Sequence, residues 1–190
     1  MKKPPIKIID GNNIILQPFS EKFLTDNYLN WMNDKETTRF ISKAKKENHM
    51  YDLELFVKDM IKSNLDYFFA IIYKKTQHHI GNVRLGPINF NTMESNFGIL
   101  IGNKKFHGLG LATEVLELIK SFGFDYLKLR EIKFEVVKKH TAAMRLYAKT
   151  KFTYLGEIKK TFNKNEKSWT LVEWSMKNSN FKKIKNDTKF

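Results

Sequence analysis

The chain has 190 residues, 42% of them hydrophobic, which suffices for one good core, so a single domain is expected. It contains no cysteine, which removes disulfides, thiolate metal sites and cysteine nucleophiles together. The formal net charge of +14 comes almost wholly from lysine, a hydrated point charge, and reads as solvated surface with some attraction for polyanions.

No apolar run approaches the roughly 20 residues a membrane helix needs. The start, MKKPPIKIIDGNN, is basic but lacks an apolar h-region and a small-residue cleavage site. No secretory leader and no membrane partner are therefore expected, and a cytoplasmic location is.

In chain order, Ile14 to Pro18 reads as a first strand. Ser20 supplies an N-cap for a helix through Trp31, with Phe23, Tyr28 and Trp31 near one face. Lys43 to His49 is a polar, charged link expected to be mobile. Tyr51 to Ser63 is amphipathic through Leu53, Phe56, Val57, Met60 and Ile61. Tyr67 to Tyr73 (YFFAIIY) reads as a buried strand and Lys74 to Gln77 as its turn. His79 to Phe90 makes the next strand, broken near Gly86-Pro87, and Ser95 to Gly102 another.

A glycine turn then leads into a helix whose apolar stripe is Leu111, Val115, Leu118, Ile119 and Phe122. Glu131 to Val137 is a strand, His140 to Lys151 a short helix, and Tyr154 to Lys160 with Ser168 to Met176 a closing hairpin. Strands that first neighbour one another and then alternate with helices predict a mixed α/β sheet. One domain over 1–177 and a basic, frayed tail over 178–190 complete the expectation.

Gly108 and Gly110 sit two apart between the apolar run Phe97 to Ile101 and the helix beginning near Leu111. A strand that enters a helix through such a turn aims several N–H groups at one point, and the helix dipole makes that point attractive to anions. No lysine followed by Ser or Thr comes after Gly110, and the third residue after it is Thr113. Neither common nucleotide loop is therefore present. From spacing alone, a pyrophosphate cradle and a plain tight turn both remain open.

Ordered motifs go further. KFHGLG (Lys105 to Gly110) resembles a (Q/R)-x-x-G-x-(G/A) loop, and GLATEVL continues it. HHIGNVRL precedes it and HTAAMRLYAKTKF (His140 to Phe152) follows. IILQPFSEKFLTDNYLNWMNDKETTRFI opens the chain. Over residues 12 to 176 this set is similar to the GNAT superfamily of acetyl-CoA-dependent N-acetyltransferases, nearest to the ribosomal-protein-alanine acetyltransferase branch. The sequence departs from the pattern at Lys105, His140, Met144, Lys151 and Asn96, the last standing where many members carry a glutamate.

The resemblance implies a mixed α/β (α+β) fold: a mostly antiparallel sheet of about seven strands, splayed in the middle, with about four flanking helices. It implies that acetyl-CoA is the co-substrate, with no metal. Backbone at Ile99, Leu100 and Ile101 would take the pantetheine arm. Lys105, Phe106, His107, Gly108, Leu109, Gly110, Leu111, Ala112 and Thr113, with His140, would take the remainder. Tyr147 falls where the family keeps a tyrosine near the sulfur, and a protonated phenol suits a departing thiolate. Glu94 and Asn96 share strand parity, so both are candidates to face the acceptor, Glu94 as a base and Asn96 to position. Trp31, Asp34, Glu36 and Arg84 are the expected acceptor-side residues.

The expected activity is direct transfer to a primary amine in a ternary complex, since no cysteine can form an acyl-enzyme. The acceptor would be a protein N-terminal amine, an amino group of a sugar or nucleotide-sugar, or a small amine. The contrasting reading is a catalytically silent module of the same fold that binds CoA or nucleic acid. Aromatics in the basic tail are too few for a stacking platform, so nucleic acid is not the expected partner. A homodimer is a family-level expectation.

Overall fold

A computed structural model describes residues 3–41, 47–161 and 168–181. At its centre lies β3 (Tyr67–Tyr73), apolar throughout and buried on both faces. Because side chains alternate along a strand, Tyr67, Phe69 and Ile71 join one core while Phe68, Ala70 and Ile72 join another. The first core is covered by α4 (Leu111–Ser121) through Leu111, Val115, Leu116 and Ile119. The second is covered by α1 (Asp26–Asn33) and α3 (Met50–Lys62) through Tyr28, Trp31, Leu53 and Val57.

Strands β1 (Ile9–Asp10) and β2 (Ile14–Pro18) precede β3, and β4 (His78–Asn89) and β5 (Glu94–Ile101) follow it. After α4 come β6 (Glu131–Val137), α5 (Thr141–Lys149), β7 (Thr153–Lys160) and β8 (Trp169–Lys177). The sheet order is β1-β2-β3-β4-β5-β6-β8-β7, and among the described strands only β5 and β6 pair in parallel. Among the described residues, the eight strands and five helices exceed expectation by the two-residue β1 and the one-turn α2 (Lys35–Thr38).

Four sequence expectations need correction. The first helix does not begin at Ser20. That residue precedes a 3-10 turn (Glu21–Phe23), and α1 starts afresh where the Thr25 hydroxyl accepts the Tyr28 N–H at 3.4 Å. Nor does Gly86-Pro87 break β4, which runs through with a register shift between Leu85 and Ile88. Asn48, placed in the mobile link, is buried; its N–H donates to Asn33 Oδ1 at 2.8 Å and its amide to Met32 O at 3.0 Å. Residues 43–46 of that link lie outside the described residues. Finally, the tail is anchored where it begins, because Asn178 Nδ2 donates to Leu129 O at 3.0 Å. Residues 182–190 of the tail lie outside the described residues.

Two contacts seat α4 over the sheet. Glu114 accepts N–H bonds from Asn13 (2.8 Å) and Ile14 (3.3 Å), tying the first turn of the helix to the β1–β2 turn. At the other end α4 widens into a π turn (Phe122–Tyr126), whose Phe122 ring meets Tyr67 at 5.0 Å.

Candidate active site

The site is built on a divergence in the sheet. Strands β5 and β6 pair only at Glu94↔Glu131, Ser95↔Ile132 and Asn96↔Lys133. Beyond Asn96 they part: Phe97 to Ile101 pair with Leu85 to Gly81 of β4 on one side, while Phe134 to Val137 pair with β8 on the other. One edge of Phe97–Ile101 thus carries backbone N–H and C=O groups with no strand against them, the arrangement that accepts an added peptide-like strand.

Charge holds the closed end. Glu94 Oε1 pairs with Arg130, and Glu94 Oε2 lies 3.2 Å from Lys133 Nζ. Lys133 also reaches Glu131 Oε2 at 3.4 Å, and buried Glu131 accepts the Ser175 hydroxyl. Glu94 therefore has both oxygens occupied by cations, an anchoring role in place of the free carboxylate expected of a base. Asn96 is exposed at the last paired position. Gly98, two residues on and on the same face, has open space where a Cβ would stand.

The loop after β5 shows how many amides are available. Phe106, His107 and Thr113 donate to Asn103, Lys104 and Gly110 carbonyls at 3.0, 3.1 and 3.0 Å, and Lys105 N donates to Asn103 Oδ1 at 3.1 Å. Those four amides are spent within the loop, which narrows the expected cradle. The amides of Gly108, Leu109, Gly110, Leu111 and Ala112 have no partner among the described residues. Gly108 and Gly110 both take φ +77°, a conformation glycine adopts without strain, with nothing within 4 Å of a built Cβ. Phe106 packs on Tyr73 at 5.0 Å and fixes the base of the loop. His107 Nε2 lies 2.8 Å from Ile101 O; since a carbonyl only accepts, Nε2 carries the proton there and clips the loop to β5.

On the far side of the divergence, α5 presents Tyr147. Its ring is buried against Phe134 (4.2 Å between centroids), Phe152 (6.1 Å) and Trp174 (6.3 Å). Burial pushes the phenol well above its ordinary value, so the hydroxyl remains a hydrogen-bond donor across the physiological range. His140 caps α5, its Nδ1 accepting the Ala143 N–H at 3.4 Å. It also stacks on Phe40 at 4.6 Å and 24°. Burial first, and nearby Arg39 second, hold His140 below the usual imidazole value.

The Phe40–His140 stack joins the second residue after α2 to the N-cap of α5. The Arg39 guanidinium lies 4.6 Å from the centroid of the same Phe40 ring. Sequence reading used Arg39-Phe40 only as part of a motif. The 100 residues separating Phe40 from His140 left their contact without a local signal.

The expected acceptor-side residues do not form one pocket. Asp34 caps α2, with Oδ1 accepting from Glu36 N (2.8 Å) and Thr37 N (3.0 Å). Its Oδ2 lies 2.7 Å from Lys104 Nζ, and Glu36 Oε2 meets the same ammonium at 2.7 Å. The Lys104 hydrogen bond, with help from the Thr37 amide, holds the Asp34 carboxyl down to about 2. Lys104 thereby connects the start of the glycine loop to α2.

Trp31 is buried, its indole against Gly102, so it shapes the core beneath this region. Arg84 is committed to buried Asp66, with Nε 2.7 Å from Oδ1. Among the described residues no group of His, Cys, Asp and Glu could hold a metal, and no helix is long and apolar enough to cross a membrane.

The chain matches the acetyltransferase (GNAT) domain model over residues 13–153. It is 26% identical over 108 residues to the probable N-acetyltransferase YjcK of Bacillus subtilis (strain 168), covering 57% of this chain and 60% of that protein. It therefore spans about three fifths of the length of this curated relative. Among solved structures, it is similar to a Vibrio cholerae spermidine N-acetyltransferase in complex with CoA and spermine. The TM-score is 0.79 at 20% identity, over 89% of this chain and 98% of that one. A Vibrio fischeri ribosomal-protein-S5-alanine acetyltransferase gives 0.74 at 16%, over 94% and 100%. At these identities the two structures speak to the fold alone.

Proposed function

Because the chain belongs to the GNAT acetyltransferase family, we propose that it moves an acetyl group from acetyl-CoA to a primary amine by direct transfer. The observation that carries this reading is the three-pair contact between β5 and β6, which opens next to five amides with no partner among the described residues. The residues fit the co-substrate in two respects. Gly108 to Ala112 offer a cluster of N–H donors at a helix start with room for a diphosphate. Phe97 to Ile101 offer one free backbone edge for an amide-bearing arm.

The amine nitrogen attacks the thioester carbonyl carbon, the carbon–sulfur bond breaks, and the sulfur gains a proton while the nitrogen loses one. The Tyr147 hydroxyl supplies the hydrogen bond to the departing sulfur. Since burial makes that phenol a weaker acid than a free one, its contribution is stabilisation of the thiolate, followed by proton exchange with solvent. Backbone N–H groups on the open edge of β5 stabilise the developing oxyanion. Asn96 orients the amine, and its proton leaves to water. Glu94, between two cations, keeps the hinge of the cleft closed.

The acceptor is a primary amine. Similarity to the Vibrio cholerae spermidine N-acetyltransferase makes a polyamine the first to test, beside N-terminal peptides and amino-sugar nucleotides. The test is release of free CoA thiol against that panel, read without background because the chain has no cysteine. Turnover with at least one amine is expected. Heat on mixing with CoA but no thiol release with any amine replaces this reading with the silent CoA-binding module. No heat at all removes both.

A further inference from the structure

Helix α5, which carries Tyr147, is closed at its two ends by different chemistry. At the C-terminal end the Thr150 hydroxyl donates to Leu146 O at 3.0 Å or Tyr147 O at 3.2 Å, bonds that do not depend on pH near neutrality. At the N-terminal end His140 Nδ1 accepts the Ala143 N–H at 3.4 Å. An imidazole nitrogen accepts only while it is unprotonated. This cap therefore needs the neutral tautomer with its proton on Nε2, and a second proton withdraws it. Asparagine at the same position would cap the helix at any pH.

The surroundings of His140 favour the neutral ring. Phe40 stacks on it at 4.6 Å and 24°, and Arg39, beside Phe40, opposes its protonation. On its own turn, Lys138 is held by Glu157 of β7 at 2.7 Å, and Lys139 is a further cation next to it in the chain. No carboxylate among the described residues pairs with the imidazole. Phe40 is held in turn: Ile41 N donates to Thr38 O at 2.8 Å, and Asp34 and Glu36 tie α2 to Lys104 at 2.7 Å each. One line of contacts thus runs from the start of the glycine loop through α2, Phe40 and His140 to α5. Ala143 stands one helical turn before Tyr147, so the capped turn is the one next to the phenol.

Resting on the acetyl-transfer reading, we infer that Phe40 and His140 are positioning residues for Tyr147: neutral His140, held by the Phe40 ring, seats the first turn of α5 so that the phenol meets the departing sulfur, and protonation of His140 unseats it. Both act through the helix rather than on the reacting atoms, so the effect falls on turnover and leaves cofactor affinity alone. Transfer then carries an acid limit set by the cap, in addition to the one set by protonation of the acceptor amine.

The test is kcat against pH from 5 to 8 with the best amine of the panel, with thermal melts and CoA calorimetry on every variant. Dividing each profile by that of His140→Asn cancels the titration of the amine, which both enzymes share. For wild type the ratio should be flat above pH 7 and fall about threefold or more by pH 5, as the imidazole takes its proton. Arg39→Gln should keep wild-type turnover at pH 7.5 and move that fall to higher pH, because a cation opposing the imidazolium is gone. Phe40→Ala should lower kcat about tenfold with CoA affinity near wild type, and Phe40→Tyr should restore it. The Ala143 amide resonance should titrate with the same midpoint in wild type and lose that step in His140→Asn. A wild type that turns over no amine at any pH removes the acetyl-transfer reading, and this inference with it. Turnover with a flat ratio, an Ala143 resonance without the step, or a folded Phe40→Ala variant as fast as wild type overturns the inference alone.

Discussion

Gly102 lies flat beneath the indole of Trp31: a Cβ built on the glycine would stand 2.2 Å from Trp31 Cδ2. Gly102 follows β5 directly, and Trp31 is in the last turn of α1, so this contact sets how closely the helix approaches the exit of the cofactor-side strand. Gly102→Ala must push the ring away, and overpacking of this kind costs about 1–3 kcal/mol. Urea denaturation should register that loss, and Trp31→Phe in the same chain should recover part of it. Equal stability of Gly102→Ala and wild type would show that the ring has room to move.

Tyr147→Phe keeps the packing on Phe134 and Trp174 and removes only the hydroxyl. The melting temperature and CoA affinity should stay near wild type. Turnover should fall on the order of 100-fold, within the range general acid groups contribute. Unchanged turnover would assign the phenol to packing alone.

Gly110→Ala tests the loop. There is open space for the methyl, so the cost is the backbone at φ +77°, roughly 1–2 kcal/mol for a residue with a Cβ. The loop relaxes that strain by turning its amides, so CoA should bind about tenfold more weakly by calorimetry. Affinity equal to wild type would take the Gly110 amide out of the cradle.

Stability should fall as the medium is acidified from pH 7 to pH 5.5. His79 is packed among Phe19, Phe23, Tyr28 and Trp31, with ring centroids 5.0 to 6.3 Å away. Burial holds its imidazole below the ordinary value, although Asn82 Oδ1 at 2.8 Å and Gly81 O pull the other way. His140 is lowered too. The unfolded chain then binds more protons than the folded one as pH drops below about 6.5, so folding weakens there, by at most about 1.4 kcal/mol per pH unit for each imidazole. Melting curves of wild type and His79→Gln should diverge in slope across this window. Parallel slopes would leave the effect to His140.

Where sequence and structure agree, the signal was local. The unbroken apolar run of β3 and the stripe of α4 each announce their burial through residues a few places apart. The glycine pair likewise marks the turn that frees the amides. Missed features depend on partners far along the chain. Arg84 looks available until Asp66 is folded against it. Glu94 reads as a candidate base until Arg130 and Lys133 arrive on it. Asn48 reads as linker until Asn33 and Met32 bury it. Ser20 reads as the cap of the first helix, but its side chain makes no cap hydrogen bond, and Thr25 takes that role after an intervening 3-10 turn.

Three residue pairs between β5 and β6 make a crease across an otherwise continuous sheet, with five strands on one side and three on the other. A crease bends more readily than the fabric around it, so slow amide exchange should be least complete along Phe97–Ile101. A molecule lodged there braces both flaps together. Whatever the cleft accepts should then raise the melting temperature in proportion to the logarithm of its concentration, making the substrate a structural member of the protein it serves.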